Sequence, residues 1–234
     1  MLVIQIPLYV RVFENKFPSK LFILPDGGKL QGKIQNGVLE GKGIIFWPNG
    51  KKYEGDFKNG LFSGWGKLTM GNGESYEGEF KNGFYDGNGT FIFSTGIYKG
   101  EFKNDLYNGR GYLKYNDGAY YIGQFRDGQI NGFGENYFAN GVKKIGDFLN
   151  GTLNGEAISI SAQGDSLECY FSKGIANGKG REHFANGDVY VGEFKNGKFN
   201  GEGEYRSANG TKYIGIFRDG APTYQVQCIK PTFK

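Results

Sequence analysis

Residues 76–83 read Tyr-Glu-Gly-Glu-Phe-Lys-Asn-Gly, and glycines follow at Gly87, Gly89 and Gly96. The same spacing occurs 23 residues earlier, beginning at Tyr53. The first position of this unit recurs almost to the end of the chain, at residue numbers 30, 53, 76, 98, 121, 144, 167, 190 and 213. Every step is 23 residues except one of 22, which identifies the chain as a tandem repeat array. Such a protein acts through its surface and its length more than through a pocket.

Composition excludes several other classes of protein. The chain has 42 glycines among 234 residues, but they follow no Gly-X-Y period, which excludes collagen. Aromatic residues make up 17% of the chain, too many for a disordered low-complexity segment. The formal charge of +4 arises from Lys and Arg that are interleaved with Asp and Glu, so the charge pattern does not indicate nucleic-acid binding.

The cysteines and the first residues bear on the cellular compartment. Cys169 and Cys228 lie far apart, which argues against a disulfide framework or a zinc site and favours a reducing compartment. The segment Met1 to Phe13 is apolar, but it has neither a basic region before it nor a small-residue cleavage site. Pro7 and Arg11 keep it below membrane-spanning length, so we expect it to form a strand.

Each repeat, numbered from its first residue, predicts a β-hairpin. Positions 1, 3 and 5 are Tyr, Gly and Phe in the regular copies, and this alternation is typical of a strand. Asn-Gly or Asp-Gly follows at positions 7 and 8, as at Asn59 and Gly60, and favours a two-residue type I′ turn. Such a turn places position 5 opposite position 10, which is apolar or aromatic in every complete repeat. Continued along the strand, it places position 3 opposite 12 and position 1 opposite 14.

The second connection of each repeat ends in a triplet such as Pro-Asn-Gly at 48–50, which predicts a three-residue loop closed by a left-handed glycine. With both connections in place, Phe57 lies beside Gly41 and Tyr53 beside Gly66, so that aromatic rings cover strand glycines. We therefore predict an all-β fold, an elongated, twisted single-layer antiparallel β-meander of tandem 23-residue hairpins. It would have about eighteen strands.

Three segments are expected from this pattern. Residues 1–29 form an N-terminal cap with a partial repeat and strands at 8–13 and 21–24, residues 30–220 form the array, and residues 221–234 form a C-terminal cap or tail.

The 22-residue copy before Tyr98 requires one further adjustment. Tyr98 keeps its facing only if the connection near Ser94 shortens from three residues to two, and we expect a local change in curvature there.

The motif at 76–83, together with Gly87 and Gly89, resembles the MORN repeat (membrane occupation and recognition nexus). The resemblance covers eight tandem copies over about residues 30–220. It implies the same twisted meander. MORN arrays occur as scaffolds in radial spokes and other ciliary or flagellar structures, in parasite cytoskeletal complexes, in junctional proteins at membranes, and beside SET and lipid-kinase domains.

No residue pattern indicates an enzyme. A P-loop is missing, and the Gly-x-Gly pairs are positions 12 and 14 of the repeat rather than a phosphate cradle. The single histidine, His183, is at position 17 of an irregular copy, where a surface strand residue is expected. The chain leaves no room for a SET or kinase domain beside the array. We therefore predict no catalytic residue, no metal site and no cofactor.

The two faces of the sheet have different expected roles. The Tyr-Gly-Phe face is expected to be structural, with an aromatic groove for a partner peptide or helix as the functional alternative. The other face carries positions 2, 4 and 6, usually acidic, acidic and basic, and is expected to be solvated. Apolar residues interrupt this pattern in the middle of the chain, which suggests a contact patch. The candidate partner-binding residues are Ile122, Tyr137, Ile145, Leu149, Ile158 and Ile160. Repeat decay is the alternative explanation, because Lys144, Ala157 and Cys169 replace the expected Tyr, Gly and Gly.

Position 6 supplies a column of basic residues that is the candidate lipid-binding site. Anionic headgroups would bind such a column. Local ion pairing is the favoured alternative, because each of its lysines has Asp or Glu two residues before it on the same face. The members are Lys58, Lys81, Lys103, Arg126, Lys195 and Arg218.

These observations together predict a non-catalytic structural or adaptor scaffold. It would belong to a large cytoplasmic assembly that is cytoskeletal, or ciliary or flagellar, and would bind helices or extended segments of other proteins. Nucleic acid is not among the expected partners. One alternative is a peripheral membrane tether that binds anionic phospholipids, and another is a targeting subunit for a separate enzyme.

Overall fold

A computed structural model describes residues 21–231. Across this range the chain forms twenty β-strands and no helix, and the strands belong to one antiparallel sheet. From β1 to β19, strands that are consecutive in the sequence pair with each other, two strands to each repeat, and β20 pairs with β18. The predicted antiparallel β-meander of tandem hairpins is confirmed.

The chain divides into two compact units. Within the described residues, the first unit contains 21–116 and 126–128, and the second contains 117–125 and 129–231. The strands up to residue 116 are β1 (Leu21–Ile23), β2 (Lys29–Gln35), β3 (Val38–Phe46), β4 (Lys52–Lys58), β5 (Leu61–Thr69), β6 (Ser75–Lys81), β7 (Phe84–Phe93), β8 (Gly96–Lys103) and β9 (Leu106–Tyr115). The strands after it are β10 (Tyr120–Arg126), β11 (Gln129–Tyr137), β12 (Lys143–Leu149), β13 (Thr152–Ile160), β14 (Ser166–Ser172), β15 (Ile175–His183), β16 (Val189–Lys195), β17 (Lys198–Arg206), β18 (Lys212–Arg218), β19 (Ala221–Pro222) and β20 (Gln227–Ile229).

The turn at positions 7 and 8 has the predicted geometry. Asn59 and Gly60 have φ values of 51° and 74°, so both central residues are left-handed, as a type I′ turn requires. Asparagine and glycine adopt this conformation at the lowest cost, which is why they recur at these positions. The turn pairs Phe57 with Phe62, which confirms the predicted pairing of positions 5 and 10.

Beyond that pair, the predicted register is wrong. Gly55 pairs with Gly66 instead of Gly64, and position 1 accordingly pairs with position 16. The cause is a β-bulge, in which Gly64 and Trp65 are additional residues on β5 and Gly64 has a φ of 59°. The glycine at position 12 therefore serves the bulge, while the glycines at 3 and 14 lie opposite each other.

The second connections follow the prediction in both forms. Residues 48–50 form a three-residue loop, in which the Gly50 amide donates to the Trp47 carbonyl at 3.1 Å and Gly50 has a φ of 83°. In the 22-residue copy, Phe93 pairs directly with Gly96. Only Ser94 and Thr95 separate them, so the predicted two-residue connection is confirmed.

Tyrosine at position 1 is the central residue of each regular hairpin. The Tyr53 hydroxyl donates to the Asp56 carbonyl at 2.9 Å, beside the bulge, and its ring covers two glycines. A Cβ atom added at Gly66 would lie 2.5 Å from the Tyr53 hydroxyl oxygen, so this position requires glycine. The expected neighbours are confirmed, since Tyr53 covers Gly66 and Phe57 pairs with Gly41. Five such tyrosines are fully buried: Tyr53, Tyr76, Tyr98, Tyr121 and Tyr190.

The ends of the described chain also pair with the sheet. β1 pairs with β2, and residues 25–27 form a three-residue connection in which the Gly27 amide donates to the Leu24 carbonyl. At the other end, β19 and β20 both pair with β18, with Tyr213 opposite Cys228. The predicted strand at 8–13 lies outside the described residues.

Candidate functional site

Stacked aromatic rings dominate one face of the first unit, which we call the Tyr face. The ring at position 1 stacks on the ring at position 10 of the same hairpin, because the turn and the bulge put both on this face. The ring centroids are 3.7 Å apart for Tyr53 and Phe62 and 3.8 Å apart for Tyr76 and Tyr85. Phe102 of the following repeat packs edge-on against Tyr76, with centroids 5.0 Å apart. The repeats are therefore joined by continuous ring contacts.

Above these stacks lies a groove of about 670 Å³, which we call the aromatic groove. Its volume lies in the range of small-molecule and peptide pockets. The side chains at position 10 form its floor and are only half-buried, so the rings present their area to solvent. Loop residues such as Asn49 and Asn72 contribute to its walls. Its main apolar lining is Phe62, Leu68, Met70, Tyr85, Phe91 and Tyr107.

Asp105 lines the aromatic groove and departs from the repeat pattern. It is at position 8, where all eight other repeats have glycine, and it keeps the left-handed conformation with a φ of 67°. One carboxylate oxygen, Oδ1, accepts a hydrogen bond from the Tyr85 amide at 2.7 Å, which fixes the side chain at the groove. We did not predict this residue from the sequence, although its position as the one exception at position 8 was the available signal.

Two carboxylates and one ammonium group line the groove. Burial raises the pKa of the Tyr85 phenol, and the nearby carboxylates of Asp105 and Glu74 raise it further. Burial also raises the pKa of the Asp105 carboxyl group. The pKa of Tyr107 is raised to about 12 by burial, with smaller effects from Tyr115 and Glu74. Both carboxylates thus act on phenols of the same groove, and Lys51 is the cationic side chain in its lining.

The predicted partner-binding patch is brought together only in part. Ile145 pairs with Ile158 across β12 and β13, and Tyr137 and Ile160 are both opposite Lys143, in the adjoining row. These four apolar side chains are half-buried. The Lys143 ammonium lies 4.5 Å from the centre of the Tyr137 ring and 3.3 Å from a Glu135 carboxylate oxygen.

The other two patch residues are more exposed. Leu149 is 51% exposed at the turn end of β12, four residues along the strand from Ile145. Ile122 is 50% exposed on β10. The patch therefore consists of a four-residue cluster and two separate exposed side chains, and its role in binding stays a prediction.

The basic column has an arrangement that we did not expect. All six position-6 side chains are exposed, and no ion pair within the described part of the chain involves any of them. The expected local ion pairing is therefore wrong. The acidic residue at position 4 bonds elsewhere, because it satisfies the amide left open by the bulge: Glu79 accepts from the Asn88 amide at 2.9 Å, and Glu101 from the Arg110 amide at 2.8 Å.

The residues with catalytic chemistry do not assemble. His183 is an exposed residue at the end of β15, as expected for a surface strand position. Cys169 is a buried free thiol and Cys228 an exposed one. Within residues 21–231, no group of three or more His, Cys, Asp or Glu side chains could hold a metal ion. No helix in the described part of the chain is long and apolar enough to cross a membrane.

Comparison with solved structures finds similarity to the TCP domains of two proteins. This chain matches the TCP10 domain of Danio rerio CPAP with 13% identity and a TM-score of 0.36, over 91% of this chain and 100% of that one. It matches the SAS-4 (dCPAP) TCP domain of Drosophila melanogaster, solved in complex with a proline-rich motif of Ana2 (dSTIL), with 17% identity and a TM-score of 0.32. That match covers 80% of this chain and 91% of the other. No curated protein matches this chain.

The family comparison is decisive. The MORN repeat model matches seven times, at residues 31–52, 53–75, 76–97, 98–120, 121–143, 170–189 and 190–212. Residues 144–169 are left unmatched between the fifth and sixth copies. The matched family is a non-enzymatic repeat and indicates no catalytic activity. With more than half of the chain matched, the protein belongs to the MORN repeat family.

Proposed function

We propose that this protein is a non-catalytic scaffold that binds segments of other proteins in the aromatic groove of its first unit. The single observation that carries the proposal is the groove itself, where half-buried rings from successive repeats line about 670 Å³ on one face of the sheet. Aromatic side chains supply large contact areas at a small cost in conformational entropy, and they are enriched at the centres of protein interfaces.

The shape of the groove favours a narrow partner. Its floor is a row of side chains taken from alternate strands of one sheet, so a helix or an extended segment can lie along it. Each of the hairpins that begin at 53, 76 and 98 adds one ring stack to the row, as Tyr76 and Tyr85 do, with their ring planes 9° apart. The rings are fixed by packing and, at position 1, by a hydrogen bond to the backbone. A partner would therefore meet a preorganised surface.

We further propose that the protein holds its partners in a large cytoplasmic assembly that is cytoskeletal, or ciliary or flagellar. The family supports this setting, because MORN arrays occur as scaffolds in radial spokes and in cytoskeletal complexes. A repeat array suits such a role, since each copy extends the available surface without rearranging the others.

Proximity labelling in cells, with the labelling enzyme fused to the full chain, tests the proposed function. Leu106 lines the groove and is 46% exposed, and Ile92, which is not part of the lining, is 48% exposed. Leu106→Lys should remove a defined set of labelled proteins, whereas Ile92→Lys should leave that set unchanged. Labelling spread evenly over soluble proteins, or equal loss with both variants, would contradict the proposal.

A second candidate function is a peripheral membrane tether, and one observation favours it. The basic column has no ion-pair partners in the described chain, so its charges are available to anionic headgroups. In the first unit Lys58, Lys81 and Lys103 are on alternate strands, β4, β6 and β8. Neighbouring members are thus separated by roughly 10 Å.

Liposome flotation at low and high salt tests the second candidate. Vesicles that contain phosphatidylserine should carry the wild-type protein to the top fraction at low salt and release it at high salt. Replacing Lys58, Lys81 and Lys103 together by Gln should abolish flotation. The matched control replaces Lys42, Lys67 and Lys99 by Gln, which removes the same charge from other positions. Equal loss with both triple variants would indicate nonspecific attraction and contradict a site at position 6.

A further inference from the structure

The aromatic groove contains two acidic side chains, although its lining is mainly apolar and the protein as a whole is positively charged. The whole chain carries a formal charge of +4, yet the groove has Glu74 and Asp105 among apolar and aromatic side chains, with Lys51 as the cation in its lining. Both carboxylates are near enough to the Tyr85 hydroxyl to raise the pKa of that phenol. The groove thus concentrates negative charge next to ring faces.

The aspartate is not explained by the needs of the turn. Glycine adopts a left-handed conformation without steric cost, and it occupies position 8 in every other repeat. Asp105 adopts the same conformation, and its amide donates to the Tyr85 carbonyl at 3.0 Å, as the glycine amides do at the equivalent turns. Its carboxylate is then held by the Tyr85 amide at the groove. Aspartate is less favourable than glycine in this left-handed conformation, and the turn itself is unchanged. The feature that sets this turn apart is therefore the Asp105 side chain.

We infer that the aromatic groove binds an extended peptide segment in which lysine or arginine stands between apolar side chains, with the cation beside Asp105 and Glu74. The inference rests on the proposed function and specifies the chemistry of its partner. The apolar side chains of the segment would pack on Phe62, Met70 and Phe91. The cation would meet the carboxylates and the ring faces of Tyr85 and Tyr107, which attract positive charge.

Charge complementarity distinguishes this partner from others. An acidic segment or an anionic headgroup would place its charge against both carboxylates, with Lys51 alone to compensate. A purely apolar segment would bury carboxylates without a counter-ion, which is costly at a half-buried site. A basic residue removes that cost and gains a charge-assisted hydrogen bond.

Selection of random peptides on the full-length chain tests the inference. A library of short random peptides displayed on phage is selected against the wild-type protein and against Ile92→Lys, Leu106→Lys and Asp105→Asn. Selected peptides should be enriched in Lys or Arg flanked by apolar residues. A net charge of +4 favours acidic peptides nonspecifically, so this enrichment would run against the overall field.

Asp105→Asn is the informative variant, because asparagine tolerates the left-handed conformation and its side-chain oxygen still accepts from the Tyr85 amide. It should weaken binding of a selected synthetic peptide by about tenfold or more, the value of one charge-assisted contact. Asp105→Gly restores the residue of the other repeats and should weaken binding equally while the fold is kept. The same peptide with Gln in place of its basic residue should bind the Asp105→Asn protein at least as tightly as the wild-type protein, because the Asp105 carboxylate then has no counter-ion.

The outcomes separate this inference from the proposed function. In one outcome, Leu106→Lys blocks binding of the selected peptides, Ile92→Lys does not, and the peptides show no enrichment in Lys or Arg. That outcome would overturn the inference and support the groove as a binding site. Basic enrichment that is unchanged with Asp105→Asn would also overturn it. Failure to select any peptide that Leu106→Lys blocks would contradict the groove as a binding site.

Discussion

The hairpins that begin at residues 53, 76 and 98 and those that begin at 144 and 167 have the same strand pairing but different packing. In a regular hairpin Gly55 pairs with Gly66, and in an irregular one Gly146 pairs with Ala157. Both have the bulge immediately after this pair, where Gly155 has a φ of 136°. The register therefore does not depend on the tyrosine at position 1, which the irregular hairpins lack.

The irregular hairpins fill the space of the missing ring in another way. Lys144 and Leu167 stand at position 1, and side chains appear where the regular copies have glycine. Ala157 is buried and pairs with Cys169 on the next strand. The Cys169 thiol donates to the Asn177 carbonyl at 3.4 Å, beside the bulge of its own hairpin. In regular hairpins a tyrosine hydroxyl bonds at the bulge.

The tyrosine at position 1 and the facing glycines at positions 3 and 14 therefore occur together in the regular hairpins, and in the irregular hairpins the tyrosine and one of the glycines are both replaced. Where tyrosine is present, both facing glycines are required because the ring occupies the volume of their Cβ atoms. Where it is missing, a small side chain restores the packing. The sheet continues through the irregular hairpins, but the ring stacks that line the aromatic groove do not form there. Repeat decay in this region is thus compensated in the core, and it changes the surface.

Alanine at Gly89 should have the largest effect on this packing. The three atoms nearest to a Cβ at Gly89 all belong to the Tyr76 side chain and would overlap with it. We expect Gly89→Ala to lower the free energy of unfolding by about 3 kcal/mol. Both tryptophans, Trp47 and Trp65, are in the first unit, so urea unfolding followed by tryptophan fluorescence reports on this unit.

A double-mutant cycle sharpens this prediction. In a Tyr76→Leu background, which imitates Leu167, Gly89→Ala should cost much less, with a coupling energy of about 2 kcal/mol. The matched change in the irregular region, Ala157→Gly, should cost only about 1 kcal/mol, as expected for loss of a buried methyl group, and urea unfolding followed by circular dichroism measures it because both tryptophans are in the other unit. An equal cost of Gly89→Ala with and without the tyrosine would refute the exchange of ring and glycine.

Alkaline pH should destabilise the regular hairpins next most strongly. Burial raises the pKa of Tyr107 to about 12, from an ordinary value of 10.0, and raises the pKa values of Tyr76, Tyr85 and Tyr98. The folded state therefore binds more protons than the unfolded state above pH 10. The stabilisation from these neutral phenols is complete below pH 10 and is lost as the pH rises through the folded-state values.

Urea unfolding by tryptophan fluorescence at pH values from about 9 to about 11.5 measures this loss. Several phenols titrate together, so the fall should exceed that caused by removing any one hydroxyl. A variant with Phe at Tyr76 and Tyr85 should show a shallower pH dependence. A flat profile up to pH 11 for the wild-type protein would rule out burial of these phenols.

Removal of one hydroxyl should have a smaller effect. The Tyr76 hydroxyl donates to the Glu79 carbonyl at 2.8 Å, and Tyr76→Phe keeps the ring while leaving that carbonyl without the bond. We expect a loss of about 1.5 kcal/mol in the free energy of unfolding. Tyr115→Phe is the control, because Tyr115 is exposed. Similar losses for both variants would show that the bond at the bulge contributes nothing specific.

The loops should give the smallest difference. Gly50 has a φ of 83°, and the nearest atom to its Cβ position is the Gly71 Cα at 3.8 Å, an ordinary van der Waals contact, so Gly50→Ala should cost about 1 kcal/mol through backbone strain. The short connection has no left-handed residue at Thr95, and Thr95→Ala should be nearly neutral. The same urea titration measures both. A neutral Gly50→Ala would contradict the requirement for glycine in the regular loop.

Much of the fold was predictable from local chemistry. Asn59 and Gly60 specify the tight turn because few residues adopt left-handed backbone cheaply, and the missing residue near Ser94 specifies the shorter loop. The register beyond position 5 could not be predicted from the alternation of residue types along the strand. Gly64 is two residues before Gly66, which is the spacing expected for two glycines of a regular strand, yet Gly64 is part of a bulge. The ion pairs of the basic column were mispredicted for the same reason, because Glu79 serves the bulge instead of Lys81.

The amino-acid sequence alone determined the family, the hairpin, the two kinds of connection and the near-obligatory pairing of aromatic residues with glycines. These features depend on backbone conformations that few residue types adopt, so residue spacing is sufficient to identify them. Only the tertiary structure decided the bulge, the partners of the acidic side chains and the aromatic groove with Asp105 at its edge. These depend on which side chains meet across strands, and the pairing of strands beyond a bulge is settled only when the whole sheet is assembled.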